Sequence, residues 1–169
     1  MNAPASGLWT PEEATAWAIL DGVMDPEIPV LTITDLGIVR HVRRTAPGAV
    51  EIGLTPTYSG CPATEVIRSS VRNSVAAAGL SVSVVEVLSP PWSSDWISER
   101  GRARLESFGI APPGAPVSSP RGLLAAERIR CPRCASERTE RVSEFASTPC
   151  KALYRCADCR EPFEYFKCI

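Results

Sequence analysis

Two Cys-x-x-Cys pairs near the C-terminus, Cys131-Pro132-Arg133-Cys134 and Cys156-Ala157-Asp158-Cys159, constrain the fold of this chain more than any other feature. Each two-residue spacer lets a tight turn aim both sulfurs inward, and two such knuckles separated by 21 residues supply the four thiolates of a tetrahedral zinc site. Arg138 to Phe145, Ala152 to Arg155 and Phe163 to Lys167 have strand character. Residues 121–169 therefore read as a β zinc ribbon, a segment of about 49 residues that could not easily build a core without its metal. Cys131, Cys134, Cys156 and Cys159 are the expected ligands of one structural zinc. A closed four-thiolate site leaves no open position for substrate; iron, in a rubredoxin-like site or a cluster, is the competing occupant.

The remaining cysteines make seven in all, an odd number with no signal peptide in view, which argues for metal chemistry in a reducing compartment and against a disulfide framework. The net charge of -1 removes the broad attraction that non-specific nucleic-acid or acidic-membrane binding requires. Apolar runs such as Ser81 to Leu88 fall far below the roughly 20 residues that cross a bilayer, and Met1-Asn2-Ala3-Pro4 lacks the start of a secretory leader. A folded, soluble, cytoplasmic protein is expected, with neither nucleic acid nor membrane as a partner.

Composition changes at residues 111–120, where Pro112, Pro113, Pro116 and Pro120 remove backbone donors and mark a linker. The expected organisation is an α/β domain over 1–110, the linker over 111–120, and the ribbon over 121–169. Within the first domain, Thr10, Pro11 and Glu13 form a capping box opening a helix, with Ala14, Trp17, Ala18 and Ile19 as its buried stripe. Asp25-Pro26 and Pro29 stop it, leaving Met24 to Pro29 as an acidic loop. Leu36 to Arg43 and the alternating Val50, Ile52 and Leu54 form a hairpin across Ala46-Pro47-Gly48-Ala49. Pro62 to Ala78 reads as a helix burying Ala63, Val66, Ile67, Val71, Val75 and Ala78 and ending at Gly79. A strand over Val82, Val84, Val85, Val87 and Leu88 follows, then a helix capped by Ser94 or Asp95 and running to Phe108. The fold class is α+β: a two-layer α/β domain with a small mixed sheet, plus the β zinc ribbon.

Cys61 is the pointed residue outside the ribbon, in Thr55-Pro56-Thr57-Tyr58-Ser59-Gly60-Cys61-Pro62, between a strand and a helix. A sulfur at a helix N-terminus meets unpaired N–H groups and the positive end of the macrodipole, which favour the thiolate. Pro62 suits the first helical position, Gly60 permits an unusual turn, and the hydroxyls of Thr55, Thr57 and Ser59 are in place to hydrogen-bond a bound cluster. The bland alternative is a helix cap, which Ser or Asp would serve better. Asp25 and Glu27 put two carboxylates on a rigid loop, for a metal, for a partner's basic group, or as a solvated turn. Cys150 and Cys168 read as small buried residues of ribbon strands or as a second thiolate pair. His41 reads as a surface strand residue, and Trp92 and Trp96 as core. The chain carries no Ser-His-Asp arrangement, phosphate loop or dinucleotide fingerprint.

Asp25-Pro26-Glu27-Ile28-Pro29, Asp35-Leu36-Gly37-Ile38-Val39 and Leu54 to Pro62 together resemble the MIP family of iron-sulfur assembly proteins, which includes SufT-like proteins, over roughly residues 10–108. The runs Phe145 to Cys156 and Glu161 to Ile169 resemble the PaaD (PaaJ) family, accessory proteins of the phenylacetyl-CoA epoxidase, or phenylacetate-CoA oxygenase, systems. The resemblance implies a non-catalytic factor of aerobic phenylacetate catabolism. Its implied role is to assemble or deliver an iron-sulfur cluster, or iron, to the reductase or the di-iron oxygenase component. By position, Cys61 matches the family's reactive cysteine, Asp25 and Glu27 its acidic loop, and the four knuckle cysteines its zinc ligands. One cysteine per chain cannot complete a [2Fe-2S] site, so the reading also calls for a homodimer, for help from Cys150, Cys168 or the acidic loop, or for ligands from the client. The competing readings are a structural adaptor of the oxygenase with no metal transfer, and a thiol enzyme using Cys61, for which no base is evident.

Overall fold

The computed structural model describes residues 9–58, 60–114 and 129–167. The chain divides into two compact units between Ser98 and Glu99.

The first unit opens with helix α1, Pro11–Leu20. The capping box forms as the sequence dictates: Thr10 Oγ1 accepts the N–H of Glu13 at 3.3 Å, and Glu13 Oε2 accepts the N–H of Thr10 at 2.9 Å. The buried stripe is not the expected one. Ala16 and Leu20 are enclosed, Ala14 and Ala18 are exposed, and Trp17 and Ile19 are half-buried. Ala14 to Leu20 is apolar nearly all round, so its pattern does not choose a face; packing does. Trp17 instead stacks on Trp9 at 5.7 Å.

Strand β1 covers Val39–Ala46 and strand β2 Ala49–Leu54; they pair antiparallel across a turn with Gly48 at φ +71°. β1 starts later than expected because Leu36 and Gly37 belong to a turn in which Gly37 has φ +69°. Val50, Ile52 and Leu54 are buried, as their alternation requires. Helix α2, Ala63–Ala77, then leads to strand β3, Ser81–Glu86, which runs parallel to β2 and completes the mixed sheet β1-β2-β3. α2 buries Ala63, Ile67, Val71 and Val75, a strict four-residue row. Val66 and Ala78 lie off that row and are exposed.

The 88–98 segment carries a short 3-10 turn over Ser94–Trp96, and Ser93 rather than Ser94 or Asp95 caps it, accepting the N–H of Asp95. The helix expected from that cap begins only at Glu99.

In the second unit, helix α3, Glu99–Phe108, precedes a two-residue strand β4, Ile110–Ala111. Strands β5, Thr139–Ser143, β6, Lys151–Cys156, and β7, Pro162–Phe166, form the ribbon expected from the sequence. β4 pairs parallel to β7, so the sheet order is β4-β7-β6-β5. β4 hydrogen-bonds into the ribbon sheet and α3 leads directly into it, so both belong to the second unit, while residues 115–120 of the expected linker lie outside the described residues. A small core of Ala111, Ile129, Cys131, Ala152, Cys156, Phe163 and Tyr165 backs the cysteine knuckles.

Candidate functional site

Cys61 is half-buried at a small open pocket in the first unit. Asp25, Thr55, Thr57 and Thr64 are its polar neighbours, and Ile38, Leu54 and Ile67 form apolar walls. Four segments build it, the stretch that ends at Ile38 among them. The acidic loop is fixed by Asp25, whose Oδ1 accepts the N–H groups of Glu27 and Ile28 at 2.8 Å each and which is itself buried. The end of β2 delivers Thr55, whose N–H donates to Ile38 O at 2.9 Å. The turn before α2 delivers Cys61, with Gly60 at φ +90° and the N–H of Cys61 on Tyr58 O. Ser59 lies outside the described residues.

Pro62 is the N-cap of α2, not its first helical residue, and offers no side-chain cap; the N–H of Ala63 instead favours the Cys61 sulfur. The helix end does not decide the charge state, however. Burial pushes the Cys61 thiol up from its ordinary value, the charges of Glu27 and Asp25 push it further, and the Ala63 N–H and the Thr64 hydroxyl only partly oppose them. The expectation of a thiolate favoured by the helix terminus is thus reversed: desolvation and two nearby carboxylates outweigh the dipole. Thr64, in the first turn of α2 and three residues beyond Cys61, was open to sequence reasoning through that spacing and was not singled out.

Other residues fall elsewhere. His41 Nε2 lies 3.1 Å from Glu51 Oε1, and its ring fills the space over Gly53, where a Cβ would come within 2.3 Å of it. Trp92 is core and donates its indole N–H to Leu36 O at 2.9 Å; Trp96 is half-buried beneath the Arg40 guanidinium, 3.8 Å from the ring centre.

In the second unit the Sγ atoms of Cys131, Cys134, Cys156 and Cys159 all lie within 4.8 Å of one another. The Cys131–Cys159 and Cys134–Cys156 separations are 3.7 and 3.5 Å. A tetrahedron with metal–sulfur bonds of about 2.3 Å has edges of about 3.8 Å, so the donor set fits zinc. Each knuckle is followed by a non-glycine residue in the left-handed region, Ala135 at φ 60° and Arg160 at φ 63°. Cys131 O accepts the N–H of Ala135, and Cys156 N–H donates to Glu161 O, closing the two turns. Asp158 ties the knuckles together by accepting from Ser136 Oγ and from Arg138 Nε. As free thiols Cys156 and Cys159 are driven in opposite directions. The backbone N–H of Cys159 leads in lowering Cys156 to about 7. Cys159 is raised to about 12: the Glu161 N–H favours its thiolate, but burial and the neighbouring thiols outweigh it. A metal cation removes that opposition by taking all four as thiolates.

Cys150 is buried, 3.1 Å from Thr148 Oγ1, and is not part of the four-sulfur group; Cys168 lies outside the described residues. The ribbon also holds an ion pair the sequence did not disclose, buried Lys151 with Glu164 at 2.7 Å.

Residues 115–167 match the family described as the PaaD zinc beta ribbon domain, and residues 13–88 match the iron-sulfur cluster assembly protein family. An Escherichia coli K12 protein named as a component of a 1,2-phenylacetyl-CoA epoxidase is 53% identical over 94% of this chain and 94% of its own length. A Porphyromonas gingivalis W83 protein named an Fe-S protein maturation auxiliary factor is 36% identical, covering 52% of this chain and 84% of that protein. The crystal structure of a DUF59 domain from Bacillus anthracis superposes with a TM-score of 0.52 at 30% identity, over 56% of this chain and 91% of that one. With that first identity spanning nearly the whole of both chains, and the family's ribbon behind it, the chain belongs to the PaaD family of phenylacetyl-CoA epoxidase components.

Proposed function

We propose that this chain is a cytoplasmic, non-catalytic accessory protein of a phenylacetyl-CoA epoxidase system in aerobic phenylacetate catabolism. In this reading Cys61 transiently carries an iron-sulfur cluster, or iron, bound for the reductase or oxygenase component, and the zinc ribbon docks the client. The epoxidase-component relative and the iron-sulfur assembly match support the setting. The observation that carries the chemistry is the contrast in ligation: one half-buried thiol with Asp25 and three threonines around it, against four converging sulfurs in the ribbon. An incomplete donor set holds its cargo weakly enough to release it, and the missing ligands come from a second copy or from the client. Thr57 and Ser59 are assigned as hydroxyl donors to the cargo, Asp25 and Glu27 as the acidic wall, and Cys131, Cys134, Cys156 and Cys159 as ligands of one structural zinc. Cys150 and Cys168 are reserve thiolates at most.

A thiol-enzyme reading gains little, since the Cys61 thiol is pushed up from its ordinary value and His41 is engaged with Glu51. The adaptor reading has one observation in its favour, the exposed Val142 and Phe145 on the ribbon. The test is Cys61→Ala in a reconstituted epoxidase system, reading the iron and acid-labile sulfide content of the client. The variant should fold, keep its zinc and co-purify as before, while the client is under-loaded and epoxidation falls. A fully loaded, fully active system would transfer the assignment to the adaptor.

A further inference from the structure

The run Asp35-Leu36-Gly37-Ile38 touches the pocket only through Ile38, yet Asp35 is the most deeply buried carboxylate among the described residues, at 0% exposure. Its neighbourhood is organised around one segment, residues 92–98. Ser98 donates its hydroxyl to Asp35 Oδ1 at 2.9 Å and its N–H to Asp35 O at 2.9 Å. Trp92 donates its indole N–H to the next carbonyl, Leu36 O. Gly37 then lies so close to Trp96 that a Cβ there would stand 2.5 Å from Trp96 O. An aspartate, a carbonyl and a residue without a side chain, in three consecutive positions, are what seat this strap.

The same loop reaches the pocket by short routes. Thr32 Oγ1 accepts the N–H of Asp35 at 3.0 Å, and Thr32 forms an isolated bridge with Met24, the neighbour of Asp25. Ile38 lines the pocket, and its carbonyl accepts the N–H of Thr55. The strap therefore bears on a loop that is also tied to Asp21 through Thr34 and to Val23 through Ile33, and that meets the pocket through Ile38 and the Thr55 bond.

We propose that Asp35 and Ser98 form a latch that seats residues 92–98 on the 32–38 loop and so sets how tightly the pocket closes on Cys61. Asp35 is a positioning residue; it does not touch the cargo. Cys61 is half-buried at that pocket, so a looser wall opens its sulfur to solvent and to reagents. The inference takes from the proposed function only that Cys61 is the working thiol. Its test uses no cargo, so the latch and the delivery reading can fail separately.

The experiment is alkylation of the full-length chain at one fixed pH by iodoacetamide and by a bulkier maleimide, with modification followed at the Cys61 peptide by mass spectrometry. Ser98→Ala removes the hydroxyl but keeps the backbone bond. It should speed Cys61 modification about three-fold or more, and most for the bulkier reagent. Ser98→Thr, which keeps the hydroxyl, should restore the parent rates. Should Ser98→Ala not fold, Trp92→Phe, which removes the strap's indole N–H, should move both rates the same way. Parent-like rates with both reagents in whichever of these variants folds, even with a lowered melting temperature, would overturn the latch and leave Asp35 a fold support only.

Discussion

The two units hold their cysteines in opposite ways. In the ribbon, four sulfurs converge within 4.8 Å on two tight turns, with Asp158 tying the turns together. In the first unit a single thiol sits among hydroxyls and carboxylates, and burial together with the two carboxylates pushes it up from its ordinary value. The first arrangement is complete within one chain and has no vacancy to exchange; the second needs a donor from elsewhere before it can hold a metal. Under the proposed function, the count and convergence of sulfurs, not the presence of a cysteine, separate the staple proposed for the ribbon from the carrier proposed at Cys61.

The strongest way to break this contrast is to deprive the ribbon of the metal proposed for it. Chelation, or Cys131→Ser, should unfold β5 to β7 while the first unit keeps its own melting transition. Metal binding at such sites contributes about 10 kcal/mol or more, and the apolar core beside it is seven residues, two of them the cysteines Cys131 and Cys156. Amide NMR with metal analysis reads both units at once. A ribbon that stayed folded without metal would transfer the role of staple to Phe163, Tyr165 and their neighbours.

A smaller effect is expected at Lys151 and Glu164, which hold β6 to β7 across the register Leu153↔Glu164. Glu164→Gln leaves a buried ammonium without its counter-charge and should cost the ribbon about 2 kcal/mol in thermal or denaturant unfolding. Burial by itself would raise the Glu164 carboxyl, but the Lys151 ammonium and the Ser147 contacts outweigh it and hold it below the ordinary range. The folded pKa is thus the lower one. Its contribution to stability is present above the unfolded value of about 4.3 and lost as pH falls through the folded value. The variant should show a flatter acid limb; an unchanged one would mean that the pair does not link to stability.

Much of this was legible beforehand, for identifiable reasons. The knuckles, the α1 capping box, the β1–β2 hairpin and the α2 row each rest on local signals that no distant contact overrides. The wall of Cys61 was legible only as separate motifs, since Asp25, Ile38, Thr55 and Thr64 come from four segments. What escaped notice was non-local: the addition of Ile110–Ala111 to the ribbon sheet, the buried face of an all-apolar α1, and the tie of Asp35 to Ser98, 63 positions apart. The sign of the Cys61 shift escaped for the same reason. A helix N-terminus can be read from sequence, whereas the burial and the two carboxylates that overrule it can be read only from the folded pocket.

That shift gives the finest test of the contrast. Among the groups around the thiol, Glu27 is the cleaner probe, because Asp25 also fixes the loop through the N–H groups of Glu27 and Ile28, and Asn there would change shape as well as charge. Glu27→Gln removes one negative charge near Cys61 and should lower its pKa by a few tenths, speeding alkylation about two-fold below the midpoint. The gain should shrink as salt is raised, since a half-exposed carboxylate acts through screened solvent. The linkage runs opposite to that of Glu164. A thiol whose folded pKa is raised contributes stability that is full below the unfolded value of about 8.5 and lost as pH climbs through the folded one, so Glu27→Gln should soften the alkaline loss in the first unit and leave the ribbon's acid limb untouched. An alkylation rate that is unchanged, or that ignores ionic strength, would mean that the acidic loop acts on Cys61 by shape alone. The carrier site would then be distinguished from the staple by burial and ligand number, with charge playing no part.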